Sequence, residues 1–152
     1  MELQWDFKSF DALSPLQMYA LLQLRSAVFV VEQNCVFLDA DDKDQESFHL
    51  LGSKGQQLVA YTRIVPPGVI YQEASIGRVI TSLTVRREGA GRALMQESIQ
   101  KVYQLYGAVP IKIGAQLYLK KFYETFGFVK EGEGYLEDGI EHIHMFKNPN
   151  NV

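Results

Sequence analysis

One short segment constrains the fold of this chain more than any other. The segment Arg86-Arg87-Glu88-Gly89-Ala90-Gly91-Arg92 follows the β-branched run Ile76 to Thr81 and precedes apolar residues that recur at helical spacing up to Gly107. Free backbone N–H groups at a helix N-terminus bind anions, and glycine lets a phosphate approach them because it has no Cβ. The sequence therefore predicts a strand, a turn whose chemistry suits a pyrophosphate, and a helix in direct succession.

Two common nucleotide-binding motifs do not fit this segment. It lacks the Gly-Lys-Ser/Thr ending of a Walker loop, and it lacks the third glycine and the acidic strand end of a dinucleotide-binding fingerprint. Taken alone, the pattern R-x-x-G-x-G also describes an ordinary turn between a strand and a helix. The rest of the chain must decide between the two interpretations.

The periodicity elsewhere predicts a mixed α/β sheet in a single domain over residues 1–152. Glu2 to Phe7 alternates like a short edge strand, and Ser14-Pro15 begins a helix that runs to about residue 30. Further strands are predicted at Phe48–Gly52, Gln57–Val65, Val109–Ala115, Phe128–Tyr135 and His142–Phe146, with a short helix at Tyr118–Phe126. The predicted order is β-α-β-β-β-α-β-α-β-β.

Composition argues against several classes of protein. Fifteen Lys and Arg against eighteen Asp and Glu give a net charge of −3, without the positive surplus of nucleic-acid-binding proteins. The single cysteine, Cys35, forms neither an internal disulfide nor a thiol-rich zinc site, which indicates a reducing compartment. No signal peptide is recognisable, and no uncharged apolar run approaches the roughly 18 residues of a membrane span. We expect a cytoplasmic protein without nucleic-acid or membrane partners.

A second segment supplies the context for the glycine motif. Gln116 to Phe128 predicts a short helix that ends in F-Y-x-x-x-G-F. With the preceding strand, turn and helix, this order resembles the GNAT acetyltransferase superfamily over about residues 58–146. Val28 to Gln33, Ile76 to Ile80 and Glu137 to Ile143 resemble its ElaA-like branch, so the likeness extends over nearly the whole chain. The resemblance implies an α+β fold with a central mixed, mostly antiparallel sheet flanked by helices.

The resemblance also implies that the chain uses acetyl-CoA as cosubstrate, and it implies the positions that bind it. Val79, Ile80 and Thr81 match the strand that pairs with the pantetheine arm and holds the thioester carbonyl. The pyrophosphate loop corresponds to Arg86, Arg87, Glu88, Gly89, Ala90, Gly91 and Arg92. Tyr123 matches the tyrosine that faces the CoA sulfur, and Gln116 stands where many members have an asparagine that touches the cofactor.

The implied reaction is direct transfer of the acetyl group to an amine of a small molecule or peptide. Tyr123 would donate a hydrogen bond or a proton to the departing thiolate, and a base must first deprotonate the ammonium. Glu32 is the first candidate for that base because it ends the apolar run of the first helix; otherwise it is a solvated carboxylate. His142 and His144 share a strand face and either can relay a proton, with a structural role as the alternative, and His49 is a third possibility.

Two other functions stay open at this point: a CoA-binding sensor or regulatory module without turnover, and a structural protein with an ordinary glycine turn. Arg63 and Arg78 lie inside predicted strands, where a buried arginine needs an acidic partner. They orient an acidic substrate or pair with the segment Asp39–Glu46, which is expected to be a surface loop because it is so polar.

Cys35 and the histidines complete the expectations. An inert thiol at Cys35 favours direct transfer over a ping-pong mechanism. No metal site is expected, because no third ligand accompanies the two histidines in the last strand. The sequence does not identify the acceptor amine or the oligomeric state, although an edge strand or the final hairpin is available for a homodimer.

Overall fold

The computed structural model describes residues 2–150, and it confirms the predicted order of elements. The strands are β1 (Gln4–Ser9), β2 (Phe48–Lys54), β3 (Gln57–Val65), β4 (Ser75–Thr81), β5 (Ile111–Gln116), β6 (Val129–Glu137) and β7 (Ile140–Lys147). The helices are α1 (Pro15–Arg25), α2 (Ala90–Tyr106) and α3 (Lys120–Glu124), with short 3₁₀ turns at Phe10–Ala12, Asp44–Glu46, Leu83–Val85 and Leu117–Leu119. A π-helix, Ser26–Glu32, continues α1 directly, so the first helix extends two residues beyond the predicted end.

Two antiparallel sheets lie side by side and separate along one edge. The first has the order β1-β2-β3-β4, with β1 at the predicted edge, and the second has the order β5-β7-β6. A parallel bridge between Ala74 and Ile111, with a 3.0 Å hydrogen bond from the Lys112 amide to the Ala74 carbonyl, joins the starts of β4 and β5. Beyond it no strand pairs with the outer edge of β4 in the part of the chain described. The mixed, mostly antiparallel fold is therefore confirmed, and it contains a gap.

A β-bulge in β4 lies beside this gap. Arg78 and Val79 together oppose the single residue Thr62 on β3, and Arg78 has a φ of +50° in the left-handed region. The extra residue reverses the alternation of side chains along the strand. Ile76 consequently packs in the core beneath α2, whereas Ile80 packs in the core beneath α1. The bulge lets one strand contribute to both core layers.

The start of α1 follows the rules that predicted it. The Ser14 hydroxyl accepts a hydrogen bond from the Gln17 amide at 3.1 Å, and the Gln17 side chain accepts one from the Ser14 amide at 3.0 Å. Pro15 occupies the first helical position, where no donor is needed. At the other end the π-helix widens the turn, and it brings Glu32 towards the gap between the sheets.

The polar segment Asp39–Glu46 lies at the surface only in part, although its composition predicts full exposure. Asp39 and Asp44 are each only 7% exposed, because they lie against arginines of α1, β3 and β4. The expectation was wrong because average polarity does not register carboxylates that arginines neutralise inside the fold. The ion cluster so formed comprises Arg25, Asp39, Asp41, Asp44, Arg63 and Arg78.

Hydrogen bonds connect the members of the ion cluster. Arg25 donates to Asp39 at 2.6 Å and to Asp44 at 2.8 Å, whereas Arg63 donates to Asp41 at 2.7 and 2.9 Å and to Asp44 at 3.0 Å. The Arg78 Nε lies 2.8 Å from an Asp39 oxygen. Burial disfavours ionisation of Asp41, but the hydrogen bonds and charges of Arg63, together with the charge of Arg78, outweigh it and lower its pKa to about 2. Arg63 and Arg78 thus pair with this segment, which was one of the two predicted alternatives; the other was an acidic substrate.

We expect Asp44→Asn to lower the free energy of unfolding by about 3 kcal/mol, because it removes the carboxylate that Arg25 and Arg63 share in a buried site. Urea denaturation at pH 7 measures the change. Asp42→Asn is the matched control, since Asp42 is exposed in the same segment and its φ of +63° suits asparagine. Equal losses in the two variants would mean that net charge, and not the buried pairing, stabilises the fold.

Candidate active site

A cleft of about 1170 Å³ occupies the gap between β4 and β5. It extends from the turn before α2, past α3 and the π-helix, to the β6–β7 turn. Nearly all of the site residues predicted from the sequence line it: Glu32, Val79, Ile80, Thr81, Arg86, Arg87, Gly89, Ala90, Gly91, Arg92, Gln116 and Tyr123. Glu88 does not line the cleft, and its carboxylate lies instead 3.5 Å from the Lys54 ammonium.

The turn before α2 presents backbone groups to the cleft. Arg87 and Gly89 have φ values of +67° and +86°, and between them the Glu88 amide donates to the Val85 carbonyl at 3.3 Å. Gly89 occupies the N-cap and provides no side chain to satisfy the first turn of α2. A Cβ at Gly89 would meet nothing within 4 Å, and one at Gly91 would meet only the Phe122 ring at 3.8 Å. Both glycines line the cleft, and neither position has a close neighbour where a side chain would stand.

Arg86 joins this turn to the end of the π-helix. Its guanidinium donates to the two carboxylate oxygens of Glu32 at 2.5 and 2.9 Å, and it also donates to the Thr81 carbonyl at 2.9 and 3.2 Å. Each Glu32 oxygen therefore accepts one hydrogen bond from this arginine, which makes the pair bidentate. The remaining guanidiniums that line this end of the cleft belong to Arg87 and Arg92.

Tyr123 lies on α3 with only 5% of its surface exposed, among aromatic side chains. Its ring meets Phe122 and Phe128 edge-on, with centroids 5.2 and 6.1 Å away. Burial, with a smaller contribution from Tyr118, raises the pKa of Tyr123 above that of a free tyrosine. The hydroxyl therefore keeps its proton at neutral pH and serves as a hydrogen-bond donor.

The segment after the π-helix crosses from the first sheet to the second. The Gln116 side-chain amide donates to the Gln33 side chain at 3.3 Å, and the Cys35 thiol contacts the Asp138 carbonyl at 3.2 Å. Gln116 thus has a protein partner at the position expected to touch the cofactor. Cys35 lines the cleft with its sulfur directed to a backbone carbonyl.

An aromatic face of the second sheet forms the far wall of the cleft. The Tyr135 ring stacks on His142 and His144, with centroid distances of 5.6 and 4.6 Å, and Tyr71 meets His144 edge-on at 5.6 Å. His142 lines the cleft, whereas His144, on the same face of β7 as predicted, does not. Burial lowers the pKa of His144, so its ring is neutral at pH 7. The two histidines therefore differ in access to the cleft, although the sequence offered no basis for choosing between them.

Sequence patterns did not identify Tyr71 and Tyr135 as site residues. Their hydroxyls lie over Gly114 of β5, where an added Cβ would stand 3.1 and 2.6 Å from them. The one signal in the sequence was this glycine inside a strand, which often marks a close approach by another group.

His49 lies away from the cleft, in the core beneath α1. Its Nε2 is 3.0 Å from the Asp44 carbonyl, which only accepts, so its Nδ1 accepts from the Tyr61 hydroxyl at 2.6 Å. Burial lowers the pKa of His49, consistent with this neutral, hydrogen-bonded ring. A structural role accounts for both ring nitrogens.

Residues 2–150 contain neither a cluster of metal ligands nor a membrane-spanning helix. No group of three or more His, Cys, Asp or Glu side chains in this range is arranged to hold a metal ion. No helix in the range is long and apolar enough to cross a membrane.

Comparison with known proteins agrees with the geometry. A family model described as an acetyltransferase (GNAT) domain matches residues 29–149. Protein ElaA of Escherichia coli is 43% identical over 94% of this chain and 95% of its own, and its crystal structure superposes with a TM-score of 0.90, covering 97% of this chain and 100% of that one. An acyl-CoA N-acyltransferase from Pseudomonas aeruginosa is 38% identical with a TM-score of 0.92, covering 96% of this chain and 99% of that one. An aminoglycoside 6'-N-acetyltransferase solved with coenzyme A shares the fold at 16% identity, with a TM-score of 0.71 over 97% of this chain and 98% of its own.

We expect Gly91→Val to weaken CoA binding at least about tenfold, or about 1.4 kcal/mol, because the branched side chain blocks the approach of phosphate to the turn. The protein should stay folded, since the nearest atom to the new Cβ is in the Phe122 ring at 3.8 Å, an ordinary van der Waals contact. Calorimetric titration with CoA measures the affinity, and Gln96→Val on the exposed side of α2 controls for a β-branched residue in this helix. Wild-type affinity in Gly91→Val would mean that the phosphates bind elsewhere.

Proposed function

Because the chain belongs to the GNAT acetyltransferase family, in its ElaA-like branch, we propose that it transfers an acetyl group directly from acetyl-CoA to an amine of a small molecule or peptide. The observation that carries the proposal is one cleft that contains an open phosphate-binding turn, an unpaired strand edge and a protonated tyrosine. The first two features support binding of CoA. The tyrosine adds a hydrogen-bond donor for the departing thiolate, which turnover requires.

The turn before α2 supports binding of the pyrophosphate. Its N–H groups provide neutral donors, and the Arg87 and Arg92 guanidiniums on the same wall provide positive charge. Arg92 is held beside the cleft, because it donates to the Thr125 hydroxyl at 3.0 Å and lies 4.8 Å from the centre of the Phe126 ring. These groups match a diphosphate in charge and in hydrogen-bonding capacity.

The outer edge of β4 supports placement of the thioester. Val79, Ile80 and Thr81 line the cleft on a strand whose outer edge has no neighbouring strand at this point in residues 2–150. Backbone groups of such an edge can pair with the amides of the pantetheine arm as a strand would. An N–H of the edge that meets the thioester carbonyl would stabilise the oxyanion, since a fixed dipole needs no reorganisation when the charge develops.

Tyr123 supports departure of the thiolate through a hydrogen bond. Its raised pKa keeps the hydroxyl protonated, and it also makes full proton transfer to a thiolate unfavourable, since an ordinary thiol has a pKa of about 8.5. We therefore assign Tyr123 the role of donor to the developing negative charge on sulfur. Glu32, the first candidate for the base, is paired through both of its oxygens with Arg86, so an acceptor amine at this position would compete with that ion pair.

The proposal is tested by incubating the protein with acetyl-CoA and a mixed library of primary amines. We expect amine-dependent release of free CoA and a new acetylated amine in the mass spectrum. Propionyl-CoA and a long-chain acyl-CoA, used in parallel, test the preference for the acetyl group. Tight binding of acetyl-CoA without any acylated amine would replace the enzyme by a CoA-binding sensor.

We expect Tyr123→Phe to slow single-turnover transfer by about 10²-fold while acetyl-CoA affinity changes less than about twofold, because only the hydrogen bond to sulfur is lost. Rapid-quench kinetics measures the first quantity and calorimetry the second. Tyr103→Phe, on α2 and outside the cleft, is the matched control, since its hydroxyl has no hydrogen-bond partner among the described residues. A wild-type rate in Tyr123→Phe would refute the role in leaving-group stabilisation.

A further inference from the structure

The proposed transfer requires a group that accepts a proton from the acceptor ammonium, and the second sheet contains one beside the cleft. We infer that His142 is the general base of the acyl transfer and that the Glu137 carboxylate passes the proton on to solvent. The inference rests on the proposed function and deepens it, because the tyrosine and the phosphate-binding turn leave this step without a residue.

The position of His142 is fixed by strand pairing. His142 on β7 is directly opposite Gln116 on β5, so the two side chains project from the same face of the sheet, about 5 Å apart at Cβ. Gln116 ends β5, five residues beyond the Ala74–Ile111 bridge that joins the two sheets, and both side chains line the cleft. The imidazole therefore stands one strand away from the free edge of β4, on the side of the cleft opposite to the phosphate-binding turn.

The contacts of the ring assign its tautomer. Nδ1 lies 2.8 Å from the Ile140 carbonyl, which only accepts hydrogen bonds, so Nδ1 carries the hydrogen. In the neutral ring the lone pair is consequently on Nε2, the nitrogen that must accept a proton. Stacking on Tyr135, at 5.6 Å and with 28° between the planes, holds the ring in this orientation.

Glu137 gives the proton a route out of the cleft. One carboxylate oxygen lies 3.6 Å from His142 Nε2, too far for a direct hydrogen bond but close enough to stabilise a positive charge on the ring. The Glu137 side chain is 60% exposed, whereas the His142 side chain is only 10% exposed. A water between the two groups would carry the proton from His142 to this carboxylate, which is in contact with solvent. Glu32 offers no such route, because Arg86 holds both of its oxygens.

The step balances in protons and electrons. The acceptor ammonium loses one proton to His142 Nε2, and that proton leaves through Glu137 to water. The amine lone pair then forms the bond to the thioester carbon, and the electron pair of the C–S bond leaves with sulfur. The second proton, lost from nitrogen as the amide forms, ends on the thiolate and yields free CoA. Each turnover therefore releases one proton to solvent.

Other titratable groups near the ring must be considered in any pH profile. They are Tyr135 and Glu137 on β6, Asp138 in the following turn, His144 on β7, Tyr71 after β3 and Cys35 after the π-helix. One matched variant separates the effect of His142 from that of these groups. His144→Gln changes a histidine that has the same strand, the same face and the same stacking partner but does not line the cleft.

The experiment compares His142→Gln with His144→Gln over pH 5.5 to 9, by single-turnover transfer to the amine that the wild-type protein acylates. We expect His142→Gln to reduce the rate by about 10²-fold and to remove the loss of activity on the acid side of the profile. Acetyl-CoA affinity, measured by calorimetry, should be unchanged and serves as the test of folding. His144→Gln should keep both the rate and the profile.

Glu137→Gln tests the exit route with a substitution at an exposed position. We expect a several-fold slower rate at unchanged acetyl-CoA affinity, because the proton on the ring loses its route to solvent. A wild-type rate and profile in His142→Gln would overturn the inference, as would a Glu32→Gln variant that alone loses the acid limb. Such results leave the proposed function intact, whereas a wild-type protein that acylates no amine removes both.

Discussion

The bulge in β4 is held by charges that the fold cannot leave unpaired. Arg78 adopts a left-handed backbone conformation that costs a residue with a Cβ about 1 to 2 kcal/mol, and its guanidinium is 2.8 Å from Asp39 and 3.3 Å from Asp41. Those carboxylates are in turn bonded to Arg25 and Arg63. Without the extra residue, Ile76 and Ile80 would face the same core layer. Ion pairing, side-chain alternation and the strand edge that borders the cleft thus form one structural unit.

The same ion cluster fixes the helix that covers the cleft. Arg25 is the last residue of α1 and immediately precedes the π-helix, and it is fully buried between Asp39 and Asp44. Seven residues further on, Glu32 meets Arg86 of the phosphate-binding turn. Removal of one buried partner therefore affects both ends of this element, because an unpaired buried charge is too costly to keep in place. The geometry of the cleft depends on this charge network, of which Asp41, Arg63 and Arg78 also line the cleft.

Local patterns were enough to predict the features whose causes are local. The capping box at Ser14 and the hairpin at Asp138-Gly139, with φ values of +51° and +79°, depend on neighbouring residues only. The burial of Asp39 and Asp44 depends on arginines 14 to 39 residues away, which composition does not register. The motifs identified most residues that line the cleft. They did not identify the partner of Glu32, the direction of Glu88 away from the cleft or the aromatic face around Tyr135, because these also depend on residues distant in the sequence.

The split between the sheets separates two chemical tasks. The first sheet and α2 contribute mainly backbone groups, from the free edge of β4 and the turn at Gly89, and such groups suit a cosubstrate that is the same in every cycle. The second sheet contributes side chains, among them Tyr135 and His142, which substitution can change without altering a backbone. Since β4 and β7 belong to different sheets, changes at the proposed acceptor wall need not disturb the proposed CoA wall. A fold arranged in this way can keep one acyl donor while its acceptor varies, which is why fold membership alone does not identify the amine.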